Sequence, residues 1–103
     1  MSRIKVIVNP RAGRGHAGRM SPHIVQALTE LGADFDLVHT RLPGEAVDLS
    51  SQAVEEGYDV VVAVGGDGTS HEVVNGLMAQ ANGHPAGTLG CIPGGSGNDF
   101  AVM

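Results

Sequence analysis

Cysteine, aromatic residues and basic residues are all scarce in this 103-residue chain, and each scarcity closes off a class of protein. A single cysteine, Cys91, excludes an internal disulfide framework and fits a reducing compartment. One Tyr, two Phe and no Trp leave little to stack on bases, and a net charge of −5 adds to the case against a general nucleic-acid surface. No apolar run approaches the ~18 residues that a bilayer span needs. The opening Met1-Ser2-Arg3-Ile4-Lys5 runs straight into a strand pattern, not a signal peptide. Secretion and membrane insertion are therefore disfavoured, and the expected location is cytoplasmic. What is present, 42% hydrophobic and 17% charged residues with a mean hydropathy of +0.06, describes one soluble globular domain. A chain of this length buries only a little over ~60% of its unfolded surface, so its core has little to spare.

Charge is uneven along the chain. Arg3, Lys5, Arg11, Arg14 and Arg19 are five of its six cations; the rest of the chain carries Arg41 against all eleven acids and sums to −10. The basic start is either a solvated face or part of a local anion site, and only a motif can join it to the second.

Four β-branched runs, Ile4–Val8, Phe35–Val38, Val60–Val64 and Thr88–Ile92, start 31, 25 and 28 residues apart, the spacing of successive βαβ units. Helix-period patterns fill the gaps. Met20, Ile24, Leu28 and Leu31 form a stripe closed by Gly32, and Ala46, Leu49, Ala53 and Val54 form a second closed by Gly57. Thr69-Ser70-His71-Glu72 reads as a capping box that opens a third helix, with Val73, Val74, Leu77 and Met78 as its apolar side. Runs such as Val60–Val64 are apolar on both faces, as buried parallel strands must be. The predicted fold is α/β, a doubly wound parallel sheet with four βα units. Asn98-Asp99 would cap a fourth helix, yet only Phe100-Ala101-Val102-Met103 follow, too few residues for a stable helix. The expectation is a fragment cut inside that helix, whose apolar end (Phe100, Val102, Met103) or open sheet edge drives self-association.

In an open parallel sheet, ligands bind beyond the carboxyl ends of the strands. Three strands deliver glycine-rich loops there: Asn9-Pro10-Arg11-Ala12-Gly13-Arg14-Gly15, Gly65-Gly66-Asp67-Gly68-Thr69 and Pro93-Gly94-Gly95-Ser96-Gly97-Asn98-Asp99. Such loops can aim backbone N–H groups at phosphate oxygens, and the helix that follows adds its positive end. One such loop is ordinary; three at one edge point to a ligand. The phosphate loop G-x-x-x-x-G-K-[ST] does not occur. Asp67 has two readings, a ligand of Mg²⁺ directly or through water, or a carboxylate that bonds turn amides, and spacing does not choose between them. His16, His23, His39, His71 and His84 lack the spacing and partners of a zinc site. Cys91, inside the fourth run, suits a small buried residue better than a nucleophile.

Together Val8-Asn9-Pro10-Arg11-Ala12-Gly13, Gly65-Gly66-Asp67-Gly68-Thr69 with Glu72 and Asn75, and Pro93-Gly94-Gly95-Ser96-Gly97-Asn98-Asp99-Phe100-Ala101 resemble the diacylglycerol kinase catalytic domain family, which includes bacterial lipid kinases and the sphingosine and ceramide kinases. The resemblance runs from the first strand to the last residue. Its middle motif is shared with NAD kinases, and the last looks like the lipid branch; Ser96 stands where many bacterial members have Thr.

The resemblance implies a Mg-dependent kinase that moves the γ-phosphoryl of ATP to a lipid hydroxyl, diacylglycerol-like or sphingoid. It implies that Asn9, Arg11, Thr40, Gly65, Gly66, Asp67, Gly68, Thr69, Ser70, His71, Glu72 and Ser96 bind the nucleotide. It further implies that Gly95, Gly97, Asn98 and Asp99 lie on the substrate side, and that Asp67 serves as base or metal organiser. The family also has a second, β-rich domain that nothing here matches. This piece alone is thus expected to be inactive, with peripheral membrane contact belonging to the longer protein. The alternatives are an NAD kinase-like enzyme and a non-catalytic module that binds a nucleotide or associates with itself.

Overall fold

The computed structural model describes residues 3–81, 88–93 and 101–102, with side chains described through residue 78 except at 67. Each apolar run becomes a strand slightly longer than its pattern: β1 (Arg3–Val8), β2 (Asp34–His39), β3 (Val60–Gly65) and β4 (Thr88–Pro93). These four pair in parallel, and with β5 (Ala101–Val102) the sheet order is β2-β1-β3-β4-β5. Alternation along β1 and β3 separates two apolar faces. Val6, Val8, Val62 and Val64 face Ala17, Ile24 and Leu28 of α1 (His16–Glu30). Ile7, Val61 and Ala63 face Ala46 and Ala53 of α2 (Glu45–Glu55) and Val73 and Leu77 of α3 (Asp67–Ala81). One helix on one face and two on the other make the sheet doubly wound.

Both predicted helix stops take one form. Gly32 and Gly57 adopt φ of +69° and +89°, the left-handed conformation that other side chains resist. Past α1, the Ala33 amide donates to the Leu28 carbonyl (3.0 Å) and the Gly32 amide to that of Thr29 (3.0 Å); past α2, Tyr58 and Gly57 bond Ala53 and Val54 likewise. These paired bonds satisfy carbonyls the helix end would otherwise leave open.

Four expectations need correction. Leu31 is 79% exposed because α1 ends at Glu30 and the chain turns away before the stripe is complete. Met78 is 69% exposed: α3 buries the narrower side marked by Val73 and Leu77. The capping box does not form, since α3 already begins at Asp67 and Thr69 lies inside its first turn. Finally, Ala101–Val102 is not helical but pairs antiparallel with Gly90 and Cys91 of β4. Two residues cannot nucleate a helix, but they can use the ladder groups of an otherwise open edge. The proposed cap at Asn98-Asp99 and the apolar residues Phe100 and Met103 lie outside the described residues.

The basic start does not stay together. Arg3 and Lys5 sit over the Tyr58 ring, 4.3 and 5.2 Å from its centre, at the amino end of the sheet. Arg3 also donates to the Glu56 carbonyl (3.0 Å), and the Tyr58 hydroxyl donates to Asp36. That hydrogen bond to a carboxylate, then burial, then the Asp36 charge raise the Tyr58 pKa above its ordinary value of 10.0, against the opposing pull of Arg3. The folded protein therefore holds this proton more tightly than the unfolded chain does. The associated stability is complete below the unfolded value and drains as pH rises through the folded one. The urea midpoint should fall as pH rises above the ordinary value of 10.0, and Tyr58→Phe should flatten that part of the decline. An equal decline in the variant would refute the assignment.

Candidate functional site

The order β2-β1-β3 means that the chain leaves β1 toward one side of the sheet and later returns to the other. Ligands of open α/β sheets bind at the carboxyl ends of the strands where that reversal occurs. A cleft of about 190 Å³ opens there. Asn9 and Arg11 enter it from the end of β1, Thr40 from the end of β2, and Thr69 and Glu72 from α3. Arg41, Leu42, Pro43 and Ala46 form the wall on the β2 side.

Backbone bonds fix these positions. The Asn9 amide donates to the Val64 carbonyl (2.9 Å) and the Thr40 amide to that of Val8 (2.8 Å), so all three strand ends are tied at one level. Asn9 Oδ1 accepts the Arg11 amide at 3.2 Å, which leaves the side-chain NH₂ of Asn9 as its donor to the cleft. The first loop departs from expectation. Its amides at 12, 15, 16, 17 and 18 donate to backbone carbonyls nearby, so it brings the Asn9 and Arg11 side chains to the cleft instead of a row of free N–H groups.

The third strand's loop behaves differently. β3 runs through Gly65, Gly66 alone makes the turn, and the Ser70 amide closes the first turn of α3 on the Gly66 carbonyl (3.2 Å). The amides of 67–69 then have no acceptor within the helix. Gly65 is required by packing: a Cβ there would lie 2.9 Å from Thr69 Cβ. Thr69, 3% exposed, lies against that strand end. Gly66 and Gly68 have no such reason, since neither has a positive φ and a Cβ on either would meet nothing within 4 Å. Open space at the positive end of a helix, where two glycines omit side chains that the fold would accept, fits a phosphate. Gly66→Ala and Gly68→Ala should leave the melting temperature within about 4 °C of wild type, on the scale of a 1 kcal/mol change. They should weaken Mg-ATP binding about tenfold or more through lost close approach. Unchanged affinity in both variants would remove the phosphate from this position.

Ser70 is half-buried and His71 exposed on α3, and neither lines the cleft. Gly95, Ser96, Gly97, Asn98 and Asp99 lie outside the described residues. Among the described residues no group of three or more His, Cys, Asp or Glu forms a metal cluster. Asp67, the candidate metal ligand of the sequence, is the first residue of α3. Sequence reasoning did not find the wall at 41–43 and 46. Arg41 was nonetheless conspicuous as the lone cation beyond residue 19, directly after Thr40.

The chain is thus a doubly wound α/β domain whose switch-point cleft carries Arg11 and Arg41 beside the N-terminus of α3. The chain belongs to the diacylglycerol kinase catalytic domain family, whose match covers residues 3–103. It is 38% identical over 101 residues to a diacylglycerol kinase of Bacillus subtilis, covering 98% of this chain and 32% of that protein. With the diacylglycerol kinase of Staphylococcus saprophyticus it shares 37% identity over 98 residues, 95% of this chain and 31% of that one. The crystal structure of a diacylglycerol kinase from Bacillus anthracis superposes with a TM-score of 0.78 at 34% identity, covering 95% of this chain and 33% of the other. The chain thus spans about a third of the length of these relatives.

Proposed function

We propose that this chain is the nucleotide-binding domain of a Mg-dependent lipid kinase that transfers the γ-phosphoryl of ATP to a lipid hydroxyl. The observation that carries the reading is the cleft at the switch point, which gathers Asn9, Arg11 and Thr40 from two strand ends and Thr69 and Glu72 from α3. The names of the relatives support a diacylglycerol-like acceptor. The cytoplasm, with peripheral contact to a membrane surface, is where such an acceptor would be met. A further domain, to match the length of the relatives, would supply much of the lipid site.

Phosphoryl transfer is mainly positioning and charge neutralisation. Asn9, Arg11 and Arg41 would orient and partly neutralise the nucleotide, and the α3 amides would face phosphate oxygens. Bound Mg²⁺ would supply charge neutralisation on the phosphates, held by Asp67. The acceptor oxygen bonds to the γ-phosphorus, the bond from that phosphorus to the ADP oxygen breaks, and the acceptor proton leaves to a base. Asp67 is the candidate for that base if it does not hold metal. Ser96 would close the nucleotide side, and Gly95, Gly97, Asn98 and Asp99 the acceptor side.

The Gly65–Thr69 motif also fits an NAD kinase, so the acceptor is the discriminating variable. In a protein as long as its relatives, labelled phosphate from ATP should enter diacylglycerol presented in vesicles. Transfer to NAD with none to lipid would replace this reading by the NAD kinase one.

A further inference from the structure

We infer that Glu45 is a positioning residue: it holds the Arg41–Pro43 wall of the cleft in the arrangement that receives the ligand. The inference rests on the nucleotide reading above. The last sheet bond on this side is the Thr40 amide to the Val8 carbonyl, and α2 begins at Glu45. Residues 41–44 between them are exposed, and Leu42, at 68%, has no place in the core. Apolar packing therefore does not fix this wall.

Hydrogen bonds do. Glu45 Oε1 accepts the Arg41 amide at 2.8 Å, while the Glu45 amide donates to the Leu42 carbonyl at 3.2 Å. One residue thus closes the segment at both levels, with a carboxylate acceptor, the stronger kind for an N–H donor. Because this carboxylate is engaged with backbone, the tie sets where Arg41, Leu42 and Pro43 stand without being a ligand contact itself. Without it the segment samples other arrangements, and apparent affinity falls by the fraction that remains competent.

Two substitutions separate the tie from the charge. Glu45→Gln and Glu45→Ala both remove a negative charge, but only Gln keeps a side-chain oxygen able to accept the Arg41 N–H. NMR on the labelled chain reads Arg41 amide exchange and Mg-ATP affinity in all three proteins. The expected result is a slow Arg41 amide and near-equal affinity in wild type and Glu45→Gln. In Glu45→Ala the amide exchanges fast and Kd rises about three- to tenfold. A purely structural role at the α2 start would lower the melting temperature of both variants alike and leave Kd unchanged. Equal affinity of Glu45→Ala and wild type, or equal weakening in both variants, overturns the inference. A wild-type chain with a protected Arg41 amide and no Mg-ATP binding overturns the nucleotide reading instead, and with it the purpose assigned to the wall.

Discussion

Asp67→Asn is expected to lower phosphoryl transfer by about a hundredfold or more while the melting temperature moves by only a few degrees. The residue opens α3, directly after the single-residue turn at Gly66. A carboxylate there gains from the helix dipole, by about 0.3–1 kcal/mol, whatever else it does. Asn keeps the shape and loses the charge, so the stability term at risk is small. The catalytic term is not small. On the proposed reading, a carboxylate at the start of α3 next to ATP phosphates would repel them unless it holds a cation or takes the acceptor proton, and Asn does neither. A turn carboxylate predicts the opposite pattern, lost stability with turnover per folded molecule retained. Measuring kcat and Tm on one preparation, in a protein as long as its relatives, separates the two.

The largest effect on the fold itself is expected at Gly76, in the middle of α3. A Cβ there would collide with Ser50 Oγ and with the Val47 carbonyl oxygen, so α2 and α3 touch through the missing side chain. Neither obstacle can swing away. Ser50 is fully buried and donates to the Ala46 carbonyl at 2.8 Å, and the Val47 oxygen is backbone. Two opposing terms decide the sign. Ala is the better helix former by about 1 kcal/mol, while overpacking a rigid contact costs about 3 kcal/mol. Gly76→Ala should therefore lose about 2 kcal/mol net, a fall in Tm of about 8–16 °C. Gly68→Ala, in the same helix but facing open space, is the internal control and should lose little or nothing. A Gly76→Ala protein as stable as wild type would mean that the two helices can part at little cost.

Much of the fold was legible because its signals are local. β-branched runs such as Val60–Val64 mark strands buried on both faces, and Gly32 and Gly57 mark helix ends through a conformation that other residues resist. Errors arose where a local pattern competed with its neighbours. The Leu31 stripe continues past the point where the chain turns. Thr69 satisfies the pattern of a cap, yet the absence of a Cβ at Gly65 lets the helix begin earlier and takes the threonine inside. The site was legible in part for the same reason. Asn9, Arg11, Thr40, Thr69 and Glu72 lie in or beside recognisable motifs, so they could be proposed from spacing and resemblance. Leu42 and Pro43 carry no motif, and their role appears only once strand order sets β2 beside β1 and Thr40 beside Asn9. The Arg41–Glu45 tie is likewise a product of the turn between β2 and α2.

The central claim is that this cleft binds a nucleotide through its phosphates, and the most direct test is a Mg-ATP titration of the isotope-labelled chain followed amide by amide. The account predicts saturable shifts at Gly66, Gly68, Thr69, Asn9, Arg11 and Arg41, with Arg3, Lys5 and Tyr58 at the opposite end of the sheet unmoved. Inorganic phosphate should shift only the Gly66–Thr69 group. A folded chain whose amides do not move at millimolar Mg-ATP, or move mainly around Arg3 and Tyr58, would contradict it.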